Sequence, residues 1–361
     1  MGFHDMLPEL LLLVADNLSL EDLSSFCSTC YWVCNVLTPH FQKLYLKDSG
    51  QLTTLQWAAI RGHAKLIKLA ILNGADIDVP LIGPLPIAAL GVRGKHYKDD
   101  HRHPCDLASK YSTLYLAGNA TRRTPLFLPA CCGHADAIEI LLDHCASTRY
   151  LGGIKTPTHI AASNGNVACM QAFVCPGCDI NATGFEERTI LHFAIYGGVE
   201  MMKYILQLDG GKNLVNAKTR KGIRPLHTVA MSIVDRDCQR LETELLLQYG
   251  ANIYAWDNVG YTPAHYFASW GKFDYLQVLI DAGFDLQTRA ECGKTILHWA
   301  IHGGEKMMLD LLELEAGRSI IDVEDNYGSI ALDYAMIYHT EKIENVLPHH
   351  NARRSARKKT V

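Results

Sequence analysis

The sequence predicts an all-α fold, a solenoid of about nine helical repeat units preceded by a small domain of about three helices. The first observation is a short phrase of the Thr-Pro-Leu-His type, whose copies begin 32, 33, 35, 38 and 33 residues apart. The second is a leucine-rich start whose apolar residues recur at helical spacing. The third is the glycine that follows each phrase, which is typical of a helix end. The phrases begin at Thr124, Thr156, Thr189, Arg224, Thr262 and Thr295.

Residues 1–48 form the predicted helical domain. Pro8 suits the first turn of a helix, and Ser19 can cap a second helix, with Asp22 three residues later. A third helical piece carries Trp32, and Pro39 marks a break. The apolar face of the first helix consists of Leu7, Leu10, Leu11, Val14 and Leu18.

The stretch from Leu7 to about Leu46 resembles an F-box. The resemblance rests on Leu7-Pro8-Glu9, the leucine-rich helix, Leu18-Ser19, Asp22-Leu23 and the later Trp32, although Glu9 stands one position earlier than in the commonest form. It implies docking on the Skp adaptor of a cullin-RING ubiquitin ligase. The residues that the match implies as adaptor-binding are Leu7, Pro8, Leu10, Leu11, Leu18, Leu23 and Trp32.

Residues 49–347 are predicted to form the repeat array. In each phrase a threonine can cap a helix, a proline fits the first helical position, and a glycine can end the helix in a left-handed turn. The phrase and its period resemble ankyrin repeats, each a β-turn finger followed by two antiparallel helices. An F-box followed by such an array is similar to a class of fungal proteins.

Two irregularities interrupt the array. A weak second unit is expected to start near Gly83, with an insertion at residues 94–121, and the unit that starts at Arg224 contains an extra loop, Ser232 to Arg240. Long insertions in solenoids map to loops, which are either functional or tolerated surface segments. A polar last helix, Glu341 to Leu347, is expected to close the array.

The ankyrin resemblance implies a protein-binding concave face made by the fingers and first helices. Large or charged residues near the end of the first helices or in the fingers are the expected contacts with a substrate protein, because aromatics and arginine anchor interfaces. They are Arg61, Tyr196, Trp256, Trp270 and His302. The neighbouring slot, which usually points inward, predicts core positions for Trp57, Phe193, Tyr266 and Trp299.

Side chains that could act in catalysis, redox reactions or metal binding are explained more simply by their structural positions. His159, His192, His227, His265 and His298 occupy the fourth slot of the phrase and are interpreted as structural hydrogen bonders. Cys175 and Cys178 fall in a turn slot of the repeat, where a redox role is less favoured. The insertion groups histidines and aspartates that could bind Zn²⁺, but a solvated loop is the better interpretation. No catalytic residue, metal site or cofactor is therefore predicted.

Composition and charge bear on the partners and the cellular location of the protein. The formal net charge of -4 gives no electrostatic argument for nucleic acid, and the apolar run Leu10 to Ala15 is far too short to span a membrane. Twelve cysteines in no disulfide pattern suggest reduced thiols in the cytoplasm, the nucleus or both. The basic tail, residues 348–361, could be a nuclear-import signal or a solvated end.

Together these features predict a protein that has no active site of its own and acts as a substrate receptor of a cullin-RING ubiquitin ligase. The F-box would recruit the Skp-type adaptor and its cullin-RING ligase, and the repeats would hold the substrate protein. The chain is expected to be a monomer apart from that complex. The alternative is a plain ankyrin scaffold, in which the N-terminal helices only cap the first repeat.

Overall fold

The computed structural model describes residues 53–72, 74–81, 124–148, 156–174, 179–232 and 239–338. Chain contacts divide the protein into two compact units, Met1–Phe185 and Glu186–Val361. The predicted F-box-like domain (1–48), the insertion (94–121), the Cys175 and Cys178 pair and the basic tail (348–361) lie outside the described residues. In the described part of the chain, no helix has the length and apolar character needed to cross a membrane.

The described helices of the first unit form three antiparallel pairs. Their bounds are α1 Thr54–Arg61, α2 Ala64–Leu72, α3 Phe127–Cys132, α4 Ala135–Asp143, α5 Pro157–Ser163 and α6 Val167–Val174.

The second unit continues the pattern with further pairs. Their bounds are α7 Ile190–Gly197, α8 Val199–Gln207, α9 Pro225–Met231, α10 Gln239–Gln248, α11 Pro263–Ser269, α12 Phe273–Asp281, α13 Ile296–Glu313, α14 Glu315–Ser319 and α15 Ala331–Ile337. Helix α13 contains both helices of its repeat, separated at Gly304, whose φ of 90° and ψ of 178° are not helical.

The repeated phrase acts at the start of each first helix, as the sequence predicts. Thr156 lies in extended backbone, and its hydroxyl accepts a hydrogen bond from the His159 amide at 3.3 Å. Pro157 follows at the first helical position, where a missing N–H costs nothing. The same capping arrangement recurs at Thr53, where Gln56 takes the place of the histidine. At Thr124 the phrase also precedes a first helix, but α3 begins only at Phe127 and has no side-chain cap.

The phrase histidines join neighbouring repeats, which confirms their structural interpretation. Their Nδ1 atoms face the capping residue, and in four of them Nε2 reaches a carbonyl of the following finger. The Nε2 contacts are His159 to Ala182 O at 3.2 Å, His192 to Ile223 O at 3.2 Å, His227 to Tyr261 O at 3.1 Å and His298 to Ser329 O at 3.1 Å. His265 is the exception, because its buried Nε2 has no hydrogen-bond partner.

Within each unit the first helices stack on first helices and the second helices on second helices. In the first unit α1 contacts α3 and α3 contacts α5, while α2 contacts α4 and α4 contacts α6. In the second unit the first helices form the row α7–α9–α11–α13–α15, and α8, α10 and α12 form the row behind. Leucine, isoleucine, alanine and methionine side chains fill the space between the rows.

Helix α1 packs directly on α3 in the first unit. The His134 Nε2 atom lies 2.9 Å from Ile60 O, and a Cβ at Gly62 would lie 2.5 Å from His134 Nδ1. Gly62 also has a φ of 69°, so both its backbone and this close approach require glycine. The described residues contain eight first helices, α1, α3, α5, α7, α9, α11, α13 and α15. The weak unit expected near Gly83 lies outside the described residues and stays a prediction.

The extra loop was expected at Ser232 to Arg240, and its middle part, residues 233–238, lies outside the described residues. Its two ends are held by one buried side chain. Lys272 Nζ donates a hydrogen bond to Gln239 Oε1 at 3.0 Å and another to Ser232 O. The extra loop between α9 and α10 therefore leaves the stacking of these two helices on their neighbours intact.

Candidate functional site

The most distinctive surface of the second unit is a continuous row of six rings, called here the aromatic stripe. Its members are Tyr266, Tyr261, Trp299, His302, Tyr338 and Tyr334. The ring centroids are 6.1 Å apart for Tyr266 and Tyr261, 4.6 Å for Tyr261 and Trp299, 6.0 Å for Trp299 and His302, 4.9 Å for His302 and Tyr338, and 6.3 Å for Tyr338 and Tyr334.

The repeat itself aligns these rings. Tyr266, Trp299 and Tyr334 each occupy the same slot of their first helix, and α11, α13 and α15 stack in that order. The stacking therefore places equivalent side chains side by side. His302 and Tyr338 lie nearer the C-terminal ends of their first-helix segments, and both are exposed.

Burial in this slot differs along the chain, which corrects part of the sequence interpretation. Trp57 is 1% exposed and Phe193 is 3% exposed, as expected of core residues. Tyr266 and Trp299 are only partly buried, so the prediction that they belong to the core is wrong. The reason is lateral packing: each of these rings stands edge to face with Tyr261 at the surface instead of inserting between the helix rows.

Two tyrosine hydroxyls of the stripe are fixed by carboxylates of the preceding finger. Tyr266 Oη donates to Asp257 Oδ2 at 2.6 Å, and Tyr334 Oη donates to Asp325 Oδ2 at 2.7 Å. The other oxygen of each carboxylate accepts two backbone amides of its own finger. Both rings are therefore held in place before any partner arrives, which lowers the entropy that binding would cost.

The same contacts shift the pKa values of Asp325, Tyr266 and Tyr334. Burial by itself would raise the pKa of Asp325, but hydrogen bonds from Tyr334 and from backbone amides outweigh it and lower that pKa. Burial and the bond to the neighbouring carboxylate raise the pKa of Tyr266 and of Tyr334. The lowered pKa of Asp325 keeps a negative charge beside the Tyr334 hydroxyl.

One cation lies on the stripe. Lys294 Nζ is 4.3 Å from the ring centroid of Tyr334 and 5.7 Å from that of Trp299, which are cation–π distances. Burial, and secondarily Lys294, lowers the pKa of His302. His302 is therefore neutral at neutral pH, and Lys294 supplies the positive charge of this surface.

Trp270 lies apart from the stripe, at the end of α11, and is 49% exposed. It borders a cleft of about 270 Å³, formed with the start of α12 and the second half of α13. Tyr275, Lys306 and Asp310 are among the residues that line this cleft. In the described part of the chain no ring contact joins Trp270 to the stripe, so it would be a separate anchor.

The other expected contact residues are also accessible to different degrees. Trp256 is 42% exposed in the finger before α11, and Tyr196 is 39% exposed in the last turn of α7. In the first unit, Arg61 ends α1, with its guanidinium carbon 5.9 Å from the ring centroid of Trp57. Of the five predicted residues, His302 is the member of the stripe.

The sequence interpretation missed Tyr261, Lys294, Tyr334 and Tyr338. The available signal was the recurrence of a large ring four residues after the start of three successive phrases. Within the described ranges, no group of three or more histidine, cysteine, aspartate or glutamate side chains could hold a metal ion. The histidines and aspartates of residues 94–121 lie outside those ranges.

Comparison with protein families identifies the repeat. The family described as ankyrin repeats (3 copies) matches residues 108–184, 158–241, 191–290 and 231–321. The overlapping matches cover more than half of the chain.

Among curated proteins, the chain is 31% identical over 182 residues to a transient receptor potential cation channel subfamily A member 1 homolog from Caenorhabditis elegans. That match covers 50% of this chain and 14% of the channel homolog. The chain is 23% identical over 254 residues to the E3 ubiquitin-protein ligase KEG of Arabidopsis thaliana, covering 58% of this chain and 16% of that protein. It therefore spans only a small part of the length of these relatives.

Among solved structures, the ankyrin repeat domain of human ASB11 superposes with a TM-score of 0.51 at 19% sequence identity. The match covers 73% of this chain and 98% of that domain. At this identity the likeness concerns the fold alone, and it agrees with the stacked helical pairs described above.

Proposed function

The chain belongs to the ankyrin-repeat family, and from this premise we propose that the first-helix face of its second unit binds a partner protein. The observation that carries the proposal is the aromatic stripe, with its two hydroxyls tied to Asp257 and Asp325. Tyrosine and tryptophan are enriched among the residues that dominate binding energy at protein interfaces. A row of such rings, held rigid and partly exposed, has the composition of an interface centre.

Trp270 supplies a second reason. Its side chain is half exposed beside a cleft instead of buried in the core. Together with Tyr196, it extends the large, accessible side chains of the first helices beyond the stripe. We assign Tyr196, Trp256, Trp270 and His302 to the partner-binding surface of this unit. In the first unit Arg61 is the corresponding candidate.

We further propose that the chain is a substrate receptor of a cullin-RING ubiquitin ligase. The support is the F-box-like pattern of residues 1–48, in which Leu7, Pro8 and Trp32 stand where the match implies adaptor contacts. In that role the N-terminal domain recruits the Skp-type adaptor and the repeats hold the substrate, without catalysis by this chain. The complex would work in the cytoplasm, the nucleus or both. If the N-terminal helices serve only as a cap, the protein is an ankyrin scaffold.

Adaptor recruitment is tested by co-purifying the full chain with a Skp-type adaptor. A Leu7→Asp/Leu11→Asp double variant is compared with Leu72→Asp, which changes a leucine of α2 that is already 66% exposed. A complex that forms with the wild type and Leu72→Asp but not with the double variant supports the receptor role. If the folded wild-type protein forms no complex, the N-terminal helices act only as a cap and the protein is an ankyrin scaffold.

The binding face is tested with a photo-crosslinking amino acid placed at Tyr338 or, as a control, at Leu309. Tyr338 belongs to the stripe, whereas Leu309 is 36% exposed on the second half of α13. Partners cross-linked through position 338 are purified, and their affinities for wild-type, Trp270→Ala and Leu309→Ala proteins are compared. Equal cross-linking from both positions, or equal affinities for all three proteins, would remove the assignment of this face.

A further inference from the structure

The aromatic stripe lies in an acidic part of the second unit, and a strongly basic segment follows it closely in the chain. We propose that the basic tail, residues 348–361, binds back onto the stripe, with arginine side chains on the ring faces and finger carboxylates beside them. The tail then occupies the face assigned above to a partner protein, which has to displace it. The contact itself does not depend on a partner, whereas this competition rests on the proposed binding face.

The first argument is the charge of the repeats that carry the stripe. Their fingers and first helices, residues 251–270, 284–303 and 320–338, contain seven acidic and two basic side chains, a formal net charge of -5. The tail contains no acidic side chain and five basic ones. They are Arg353, Arg354, Arg357, Lys358 and Lys359. A basic segment is therefore complementary in charge to this face.

Carboxylates of the fingers lie directly beside the rings. Two of them hold the hydroxyls of Tyr266 and Tyr334, as described above. A third, Glu291, is exposed, and its amide donates a hydrogen bond to Gly260 O at 3.0 Å, next to Tyr261. Burial raises the pKa of Tyr261, and the charge of Glu291 raises it further, so this carboxylate is close enough to act on the ring.

Lys294 shows that these rings hold a cation. Its Nζ lies 4.3 Å from the ring centroid of Tyr334 and 5.7 Å from that of Trp299. This one ammonium group offsets only part of the negative charge around the stripe. At the end of the row, the ring of Tyr338 is 50% exposed and accessible to a further cation. Arginine suits that place because its planar guanidinium stacks on aromatic faces.

The tail is long enough to reach the whole stripe. The sequence predicts a last helix, Glu341 to Leu347, which would run antiparallel to α15 and return the chain to the finger side of its repeat. From residue 348 to residue 359 an extended chain spans up to about 40 Å, at roughly 3.3 Å per residue. The first helices α11, α13 and α15 are neighbours, about 8–10 Å apart, so the stripe is about 20 Å long.

The test places a photo-crosslinking amino acid at Ala356, among the basic residues of the tail, in the full chain. Mass spectrometry of the cross-linked monomer is expected to map the links to the fingers and first helices of the stripe. The linked fraction should not change on dilution, because the contact lies within one chain, and should fall at high salt, because exposed charges are screened. Links between two chains, links spread over the whole surface, or no links would overturn the inference.

Two charge reversals provide a matched comparison. Glu291→Lys changes the exposed carboxylate beside Tyr261, whereas Glu313→Lys changes an exposed carboxylate at the end of α13, in the second helix of its repeat. The linked fraction is expected to fall about fivefold for Glu291→Lys and to change less than about twofold for Glu313→Lys. Adding Arg353→Glu and Arg354→Glu to the Glu291→Lys protein should restore links, which a structural effect of Glu291→Lys would not allow. Equal fractions in the two single variants, or no restoration, would contradict the proposal.

The competition is measured with a partner recovered through Tyr338. This partner should bind a variant whose five basic tail residues are glutamine more tightly than the wild type, because the tail no longer covers the face. Equal affinities would show that the tail does not compete with the partner. If no partner is recovered through Tyr338, the proposed binding face is wrong, and the links from Ala356 still decide the tail contact.

Discussion

The hydrogen bond from a phrase histidine to the following finger should be measurable as stability, because the chain contains its own control. His192 and His265 are both buried, and both place Nδ1 2.8 Å from the hydroxyl of their capping threonine. His192 Nε2 also bonds to Ile223 O at 3.2 Å, whereas His265 Nε2 has no partner. Replacing either histidine by leucine removes the same capping contacts. Only the replacement of His192 also removes a hydrogen bond between repeats.

The expected difference follows from these contacts. The lost bond at His192 costs about 1 kcal/mol, and removing the unpartnered nitrogen of His265 recovers about 1 kcal/mol. His192→Leu should therefore destabilise the protein about 2 kcal/mol more than His265→Leu. Urea unfolding followed by far-ultraviolet circular dichroism gives both free energies. If His265→Leu costs as much as His192→Leu or more, the bond between repeats does not contribute as argued.

Three further predictions concern single sites. Burial lowers the pKa of His265 from the usual 6.5 to about 4. Unfolding therefore takes up a proton at pH values between about 6.5 and about 4. The unfolding free energy should fall by about 1.4 kcal/mol per pH unit as pH drops through that window, and His265→Leu should flatten a pH series of urea titrations. Gly303→Ala should cost about 1–3 kcal/mol in the same unfolding assay, because its Cβ would collide with a main-chain carbonyl of α11. A cost below that of a surface substitution would contradict this contact. The buried Cys169 thiol, whose pKa burial raises to about 12, should be alkylated far more slowly at pH 8 than the exposed Cys145. Equal rates by mass spectrometry would show that this core opens readily.

Local features of the array could be read from the sequence with good accuracy. Thr156 and Pro157 start their helix as expected, and four of the five phrase histidines join adjacent repeats. Trp57 and Phe193 are buried as expected. These features depend on a few consecutive residues, since a cap, a first-turn proline and a left-handed glycine are all settled within about one helical turn.

The binding face depends on residues that are far apart in the chain. Trp299 looks like a core residue in its own repeat, and its partial burial against Tyr261 of the preceding finger is visible only in the structure. Likewise, the direct packing of α1 on α3, which joins residues about 70 positions apart, is visible only in the structure.

The sequence by itself determined the repeat, its period, its helix starts and the structural role of its histidines, because each is written within one short phrase. Only the tertiary structure decided which rings join into the stripe, and that Lys294 lies over the ring of Tyr334 in the next repeat. The physical reason is that exposure and ring contacts are set by side chains of the stacked neighbour, roughly 33 residues away in the chain.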